Sequence, residues 1–216
     1  MSKTILVLAA SLLLAGSASG QAGHGFTTHV TNPWFPLLPG TVYRYEGIKD
    51  GKPSRELLTV THRTKTIAGV ECVVVDDRLW VGGHLAERTN DWYAQDRKGN
   101  VWYFGEDTAE LDENGTVTTT EGSWRTGVKG ARAGILMPAQ PRVGQTGLEE
   151  YWKGHAEDHF RVLGYLGKNV LLTEETTPLE PGVVDHKMYT RGTGTVLERT
   201  VKGGDEINEL VSVRRG

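Results

Sequence analysis

Two acids and a histidine are the residues of this sequence whose types and positions could do chemistry. Side chains alternate between the two faces of a strand, so Glu150 would share an apolar face with Trp152. By the same rule, Asp158 would share a face with Phe160. If residues 153–155 form a three-residue loop, the two carboxyls stand opposite each other. Adjacent carboxylates repel, so one pKa rises unless a cation, a shared proton or an arginine accompanies them.

The histidine, His186, is predicted by the same alternation to point inward, with Lys187 pointing away. Beside Glu150 and Asp158 it would form either a divalent-cation site with mixed oxygen and nitrogen ligands or an acid/base cluster. The structural alternative pairs the acids with arginines and leaves the histidine bonded to a backbone carbonyl in the core. All three interpretations depend on whether these strands meet in space.

Six tryptophans give the chain a second set of candidate binding residues. Trp80, beside the turn at residues 82–83, and Trp124, in an irregular stretch, are predicted to be the exposed ones. Exposed indoles stack on sugars and on apolar ligands, whereas buried ones fill a core. Trp80 and Trp124 are therefore the candidate ligand-binding residues, with core packing as the alternative.

The familiar catalytic signatures are absent from the sequence. It contains no glycine-rich phosphate loop, no His-Glu-x-x-His, no Cys-x-x-Cys and no nucleophile elbow. The single cysteine, Cys72, excludes an internal disulfide and lies in a valine-rich run typical of a buried strand. A binding function is therefore favoured over catalysis.

The first twenty residues have the order of a secretory signal peptide. A lysine at position 3 precedes an apolar run over residues 5–15, and small residues follow up to Gly20. The run is shorter than the roughly 20 residues of a spanning helix. The sequence therefore predicts export to the periplasm or beyond, with a mature chain of residues 21–216 that has no transmembrane segment.

The charge of the chain argues against one class of partner. The formal net charge is -3, and the two signs are mixed along the sequence. Nucleic-acid binding requires clustered lysine and arginine, so no nucleic-acid partner is expected.

Turn signals rich in glycine recur about every ten residues and separate short runs of valine, threonine, tyrosine and tryptophan. This spacing predicts an all-β, single-domain antiparallel fold, either barrel-like or a strongly curved sheet, built from successive hairpins. The exception is residues 122–143, rich in glycine, alanine and proline. This segment is predicted to be irregular, either wrapping over one end of a sheet or crossing between two halves. The predicted strands are 41–47, 55–63, 70–77, 84–96, 100–106, 116–121, 145–152, 156–164, 170–176, 184–190, 194–201 and 206–213.

The densest stretch, "DWYAQDRKGNVWYFGED" at residues 91–107, is predicted to be a hairpin. Read from Asp96 as an EF-hand calcium loop, it has lysine at the third position and valine where glycine is required. A three-residue loop ending at Gly99 instead pairs Ala94 with Trp102 and Trp92 with Phe104, and it places the tryptophans on one face and the tyrosines on the other. Cross-strand aromatic pairs of this kind each contribute about 0.2–1 kcal/mol.

Four stretches resemble a group of exported bacterial β-rich proteins that begin with an Asn-Pro-aromatic-Phe-Pro-Leu motif. They are "NPWFPLLPGTVYRYEG" at 32–47, the hairpin at 91–107, "EGSWRTGVKGARAGILMPAQPRVG" at 121–144 and "TPLEPGVVDHKMYTRGTGTVLE" at 177–198. The resemblance implies export and a β-rich fold, and it transfers no catalytic residues. The opening stretch is also similar to the start of curved half-barrel envelope proteins, which implies a concave sheet able to hold an apolar ligand.

Three function classes follow from these observations. The first is an exported, non-catalytic binding or envelope-associated protein with a concave, aromatic-lined β surface and a cation at the paired carboxylates. Its ligand would be a small molecule, a carbohydrate or an apolar compound. The second is an exported hydrolase-type enzyme, acid/base or metal-assisted, that uses Glu150, Asp158 and His186. The third is a structural surface module whose inward polar groups are all satisfied internally.

Overall fold

The computed structural model describes residues 25–216, which form an antiparallel β structure without a helix in the described range. The predicted all-β, hairpin-built fold is thus confirmed. The predicted signal peptide lies outside the described residues. The strands are β1 Phe26–Thr27, β2 Val42–Lys49, β3 Lys52–Ile67, β4 Val70–Val81, β5 His84–Asp96, β6 Val101–Leu111, β7 Val117–Thr119, β8 Trp124–Arg125, β9 Arg132–Met137, β10 Thr146–Leu148, β11 Glu150–Tyr151, β12 His159–Leu166, β13 Val170–Thr176, β14 Val184–Thr190, β15 Gly194–Lys202 and β16 Ile207–Arg214.

The strands form one long sheet that curls into a nearly closed barrel. Its order is β10-β12-β13-β14-β15-β16-β2-β3-β4-β5-β6-β9-β11. The two ends of this path, β10 and β11, are separated in sequence by Glu149 alone, so the chain itself bridges the closing seam. Glycine is required at position 134 of β9, because a Cβ there would lie 2.4 Å from backbone atoms of Leu148 and Glu149.

Turn chemistry sets the register of the central hairpins. The turn between β2 and β3 has φ of 54° at Asp50 and 68° at Gly51, and the turn between β3 and β4 has 47° at Ala68 and 82° at Gly69. Two consecutive positive φ values define the type I′ turn, whose twist matches that of paired strands. These short connections hold adjacent strands in antiparallel pairs, so the side chains of alternate residues point into the barrel.

One end of the barrel is closed by the segment that precedes β2. Asn32, which is 2% exposed, donates through Nδ2 to the carbonyls of Gly99 (2.9 Å) and Pro138 (3.1 Å). Trp34 and Leu37 join the main apolar cluster there, which β2 to β6 and β12 to β14 also supply. The proline-rich motif of the sequence therefore acts as a plug for the closed end.

The hairpin at residues 91–107 is confirmed in its main features. Ala94 pairs with Trp102, and Gly99 ends the loop with φ of 90°. Trp92 and Phe104 belong to a second apolar cluster outside the barrel, which also buries Cys72. A bulge interrupts the ladder beside Trp92, between Asp91 and Tyr93, so the predicted Trp92–Phe104 pair is not in register.

The segment at residues 122–143 is more regular than the sequence indicated. It contains β8, paired with β6, and β9, paired with both β6 and β11. Met137 is 1% exposed and lies in the main core. Through these two strands the segment forms part of the barrel wall. Its glycines concealed the strands, since they interrupt any alternation of polar and apolar residues.

Candidate functional site

Above the apolar end, the barrel interior is lined by carboxyls. β2 ends at Lys49, far from the plugged end, and along this direction the inward positions change from valine and tyrosine to acids. Across β5 and β6 the ladder pairs two of these acids, Asp91 and Glu106. We call this polar half the interior chamber. Its carboxyls are Glu56, Asp77, Asp91, Glu106, Glu149, Glu150, Asp158, Glu175 and Glu198.

Lys187 on β14 is the cation at the centre of the chamber. Its Nζ lies 2.5 Å from Oε2 of Glu175 and 3.5 Å from Oε1 of Glu198. Tyr189 donates its hydroxyl to the other oxygen of Glu175 at 3.2 Å. Burial lowers the pKa of Lys187, but the charges of Glu175 and Glu198 outweigh it and leave that pKa well above its usual value. The lysine is therefore held charged.

His186 lies on the opposite face of β14 from Lys187, so the predicted orientation of this strand is wrong. Its Nε2 is 3.7 Å from Oε2 of Glu174, with both side chains about 30% exposed. Tyr189 is 2% exposed, so the face of β14 that carries Lys187 and Tyr189 is the inward one. The alternation rule failed because it takes the apolar residues Val184 and Met188 as the interior side, whereas the interior here is polar. The structure therefore does not bring His186 to the two acids.

Glu150 and Asp158 lie near enough for the charge of Asp158 to act on Glu150, on either side of the turn at residues 153–155. Trp152 and Ala156 form an isolated bridge around the loop at residues 153–155. One step further the register slips, because the amide of Glu149, not that of Glu150, donates to the carbonyl of Asp158 at 2.8 Å.

The slip buries two consecutive acids. Glu149 is 4% and Glu150 8% exposed. Glu149 could not be predicted by alternation, because strict alternation gives one inward side chain for every two residues, and only a bulge allows both. The available signal was the Glu-Glu pair itself at the end of a short strand.

The pKa values of the acids in this corner are raised. Burial, and then the charge of Asp158, raise the pKa of Glu150 to about 8. Burial and the charge of Glu175 raise the pKa of Glu149 well above its usual value. The pKa of Asp158 is also raised by burial, against the charge of Lys187, which lowers it. At neutral pH Glu150 therefore keeps its proton.

The wall formed by β3 to β6 holds a second group of acids whose charged neighbours are other acids. Burial raises the pKa of Asp91 to about 7, although the Tyr103 hydroxyl donates to its Oδ1 at 2.7 Å and opposes the rise. Burial and the charge of Asp91 raise the pKa of Glu106 well above its usual value. Burial and Glu56 do the same to Asp77. This wall therefore favours neutral carboxyls or an added positive charge.

A cavity of about 620 Å³ lies at the end of the barrel opposite the plug. We call it the mouth cavity. Asn208 donates through Nδ2 to Oε2 of Glu56, and Thr200 donates to Oδ1 of Asp185 at 2.6 Å. The side chain of Glu198 is 41% exposed, although protein surrounds it, because it borders this space. The lining combines acids (Glu56, Glu180, Asp185, Glu198, Glu206) with Lys49, polar groups (Ser54, Thr200, Asn208) and apolar side chains (Ile48, Leu79, Pro181, Val183, Ile207).

Two buried acceptors in and beside this cavity have no donor. Oδ1 of Asn208, on the cavity wall, and Oδ1 of Asp77, next to Glu56, receive no hydrogen bond from the described residues. An unsatisfied buried acceptor costs about 1–3 kcal/mol, so a donor brought by a ligand would be favourable there.

A divalent-cation site is expected from the sequence at Glu150, Asp158 and His186, but His186 lies on the outer face of β14, away from the two acids. Within residues 25–216, no group of three or more His, Cys, Asp or Glu side chains is arranged to hold a metal ion. The two acids alone have raised pKa values, which disfavours a metal because a carboxylate ligand must be deprotonated.

The two candidate tryptophans have different environments. Trp80 is partly exposed on the outer surface, where the Arg55 guanidinium lies 4.3 Å above its ring. Trp124 is only 4% exposed and packs edge-to-face against Tyr103 at 5.4 Å, so its predicted exposure is wrong. The bulky indole at the start of β8 fills the space between the barrel wall and the core.

Fold and site together define an all-β, barrel-like protein with a plugged end and a carboxylate-lined interior that leads to a cavity at the other end. Its sequence matches no family model and no curated protein. Among the described residues, no helix has the length and hydrophobicity of a membrane span.

Two solved structures are similar. One is the "putative exported protein with YmcC-like fold" of Bacteroides fragilis, with a TM-score of 0.49 and 12% identity over 84% of this chain and 99% of that one. The other is the "putative lipoprotein" of Parabacteroides distasonis, with a TM-score of 0.43 and 10% identity over 85% and 99%. At these scores and identities, neither likeness identifies a function.

Proposed function

We propose that this chain is an exported, non-catalytic binding protein whose ligand occupies the mouth cavity and presents a primary ammonium group to Glu56 and Glu198. The observation that carries the proposal is the composition of that cavity, which combines five acids with one lysine, an unsatisfied acceptor on Asn208 and an apolar side. The volume of about 620 Å³ suits a small organic molecule.

The charge balance supports a cationic ligand. Lys187 is bonded to Glu175 and Glu198, and Lys49 is bonded to Glu206 at 3.0 Å. Glu56 has the amide of Asn208 as its hydrogen-bond donor, which carries no charge. An ammonium group carries three N–H donors and no acceptor, so it matches a wall that offers carboxylate and amide oxygens.

The apolar side of the cavity supports an organic cation over a bare ion. Leu79, Val183 and Ile207 line the same space as Glu56 and Glu198. An alkyl chain of four to six carbons would remove this surface from water, which contributes about 0.8 kcal/mol for each buried CH₂ group. The ligand class is therefore an alkyl amine or diamine.

Export is proposed on the sequence alone. The charged, apolar and small-residue order of residues 1–20 supports it. Mass spectrometry of the protein from a fractionated bacterial culture would give the mature N-terminus near residue 21. An intact Met1 in the cytosolic fraction would reject this part of the proposal.

A second candidate function rests on one observation, the pKa of about 8 for Glu150 beside Asp158. A buried carboxyl that keeps its proton at neutral pH can act as a general acid. An enzyme of this kind would work without His186. Turnover of a glycoside or ester panel that disappears in Glu150→Gln would establish it, whereas activity that survives this change would exclude these residues from it.

The binding proposal is tested by calorimetric titration and thermal unfolding of residues 21–216 with 1,5-diaminopentane. 1-Pentanol and pentanoate serve as matched probes without the ammonium group, and calcium and zinc as bare cations. A ligand at a hundredfold excess over Kd stabilises the folded state by about 2.7 kcal/mol. We expect this response to the diamine alone.

Matched variants locate the binding. Glu56→Gln and Glu198→Gln should weaken diamine binding by about tenfold or more, because each removes a carboxylate from the cavity. Glu209→Gln, an exposed neighbour of Asn208 on β16, should leave binding unchanged. An equal response to 1-pentanol would contradict the proposal. Diamine binding that survives both Glu56→Gln and Glu198→Gln would also contradict it.

A further inference from the structure

A second cleft lies outside the mouth cavity, on the barrel wall beside β8. It has a volume of about 300 Å³ and is bordered by three tryptophans, Trp92, Trp124 and Trp152. The cleft exists because β6 bulges beside Gly105, whose φ is 132°, and because the chain after β8 turns away from the wall. We call it the tryptophan cleft. It is formed partly by the segment at residues 122–143, which the diamine proposal does not use.

Three cations border this cleft, and two of them are fixed over indole rings. Nζ of Lys65 lies 4.0 Å from the Trp92 ring centre, and Nζ of Lys129 lies 5.5 Å from that of Trp152. Arg125 is the third. None of the three forms an ion pair within residues 25–216. Glu106 and Asp107 also line the cleft, so it holds three cations against two acids, whereas the mouth cavity holds one lysine against five acids.

The cleft also has groups that suit hydroxyls. Asp107 and Ser123 line it. The Trp152 ring is stacked on the His155 ring at 3.9 Å, which fixes its plane. Fixed aromatic rings, hydroxyl acceptors and cations in one cleft are what a carboxylate-bearing sugar requires, since its ring packs on indole and its carboxylate pairs with lysine or arginine.

We propose that the tryptophan cleft binds an acidic saccharide, with its carboxylate held by Lys65, Arg125 and Lys129 and its sugar ring against Trp152. A neutral sugar lacks the charged contact, and a bare anion lacks the aromatic one. The site is separate from the mouth cavity, so the two proposals can fail independently.

The test is a titration of residues 21–216 with digalacturonate, followed by tryptophan fluorescence and calorimetry. The fully methyl-esterified disaccharide and inorganic phosphate are the matched probes, because the first keeps the sugar rings and the second keeps only negative charge. We expect binding of digalacturonate in the micromolar to millimolar range, weakened by salt, and at least about tenfold weaker binding of either other probe. Equal binding of the methyl ester or of phosphate would overturn the proposal, and so would no binding of digalacturonate.

Variants place the binding in the cleft. Lys65→Gln with Lys129→Gln should weaken digalacturonate binding by about tenfold or more, because two of the three cations are removed. Lys153→Gln is the control, since this exposed lysine adjoins Trp152 in sequence but lies outside the cleft lining. Glu56→Gln, in the mouth cavity, should also leave digalacturonate binding intact. Unchanged binding in the double lysine variant, with a melting temperature like that of the unaltered protein, would reject the cleft as the site.

Discussion

Two walls of the interior chamber both carry acidic residues, but the charged neighbours of these acids differ. On the wall formed by β13 to β15, Glu175 and Glu198 flank Lys187 at 2.5 and 3.5 Å. On the wall formed by β3 to β6, Asp91 has Glu56, Glu87 and Asp76 as its charged neighbours. The first wall is an ion-pair network, in which burial raises the pKa of Glu198 to about 7 although the charge of Lys187 lowers it. The second wall is an array of acids without a cation among their charged neighbours.

The difference shows how a barrel interior can be polar without collapsing. A buried carboxyl is tolerated when a cation accompanies it or when it keeps its proton. A carboxyl paired with a cation of the chain keeps its charge because the fold holds the pair together. A carboxyl that keeps its proton changes its charge when pH rises or when a cation enters. The β3 to β6 wall, with the Glu150 corner, is therefore the responsive part of the chamber.

The largest effect should follow from removing the cation of the paired wall. Lys187→Met leaves Glu175 buried, and Glu198 at the edge of the mouth cavity, without their partner. Breaking a buried ion pair such as that of Lys187 with Glu175 costs about 3–5 kcal/mol. Urea unfolding at pH 8 measures the loss, which should be smaller at pH 5, where the stranded acids can protonate. Lys153→Met is the exposed control. A loss below about 1 kcal/mol at pH 8 would mean that Lys187 does not hold this wall together.

The next effect is the pH dependence of the unaltered protein. The folded-state pKa values of Asp91, about 7, and Glu150, about 8, lie above the ordinary value near 4. The folded state then binds more protons than the unfolded state between these limits, so its stability must fall as pH rises from about 4 to 8 and level off above. Urea unfolding across this range should show a fall of several kcal/mol. Stability that rises or stays flat from pH 5 to 8 would show that the acids are charged throughout.

A smaller effect should follow from changing one acid alone, in the Glu150 corner of the chamber. Glu150→Gln removes a carboxyl that must be deprotonated in a buried site above pH 8. We expect the variant to be more stable than the unaltered protein by about 1–3 kcal/mol at pH 9, and equally stable at pH 5. Glu209→Gln, on the exposed side of β16, should show no pH-dependent difference. Destabilisation by Glu150→Gln at both pH values would instead indicate a carboxylate with a structural partner.

The smallest effect separates the chamber from the outer face of the same strand. His186→Ala removes a partly exposed contact with Glu174, so the change in unfolding free energy should be within about 0.5 kcal/mol. Diamine binding should also be unaffected. A large loss of stability or binding would place His186 in the site after all.

The local features of the fold were accessible from the sequence, because they rest on short-range chemistry. The type I′ turn at Asp50 and Gly51, the loop ending at Gly99 and the pairing of Trp152 with Ala156 depend on backbone preferences of a few residues. The nearness of Glu150 to Asp158 depends on the last of these.

The site could be predicted only in part, because its inward side chains are polar, whereas the usual rule takes the apolar face of a strand as the inward one. Alternation predicts which residues share a face, but not which face is inward when the interior is itself polar, as at Lys187. The bulge that buries Glu149 depends on the closing seam with β9, a contact between distant parts of the chain. The mouth cavity depends likewise on where β2 meets β16.

The most direct test of the account is a carbon-detected NMR titration of the side-chain carboxyls, from pH 4 to 10. The two-wall comparison requires that Asp91 and Glu150 keep their protons into the neutral range because burial, not a cation, sets their state. We predict titration midpoints of about 7 for Asp91 and about 8 for Glu150. Midpoints near 4 for both, as in exposed carboxyls, would contradict it.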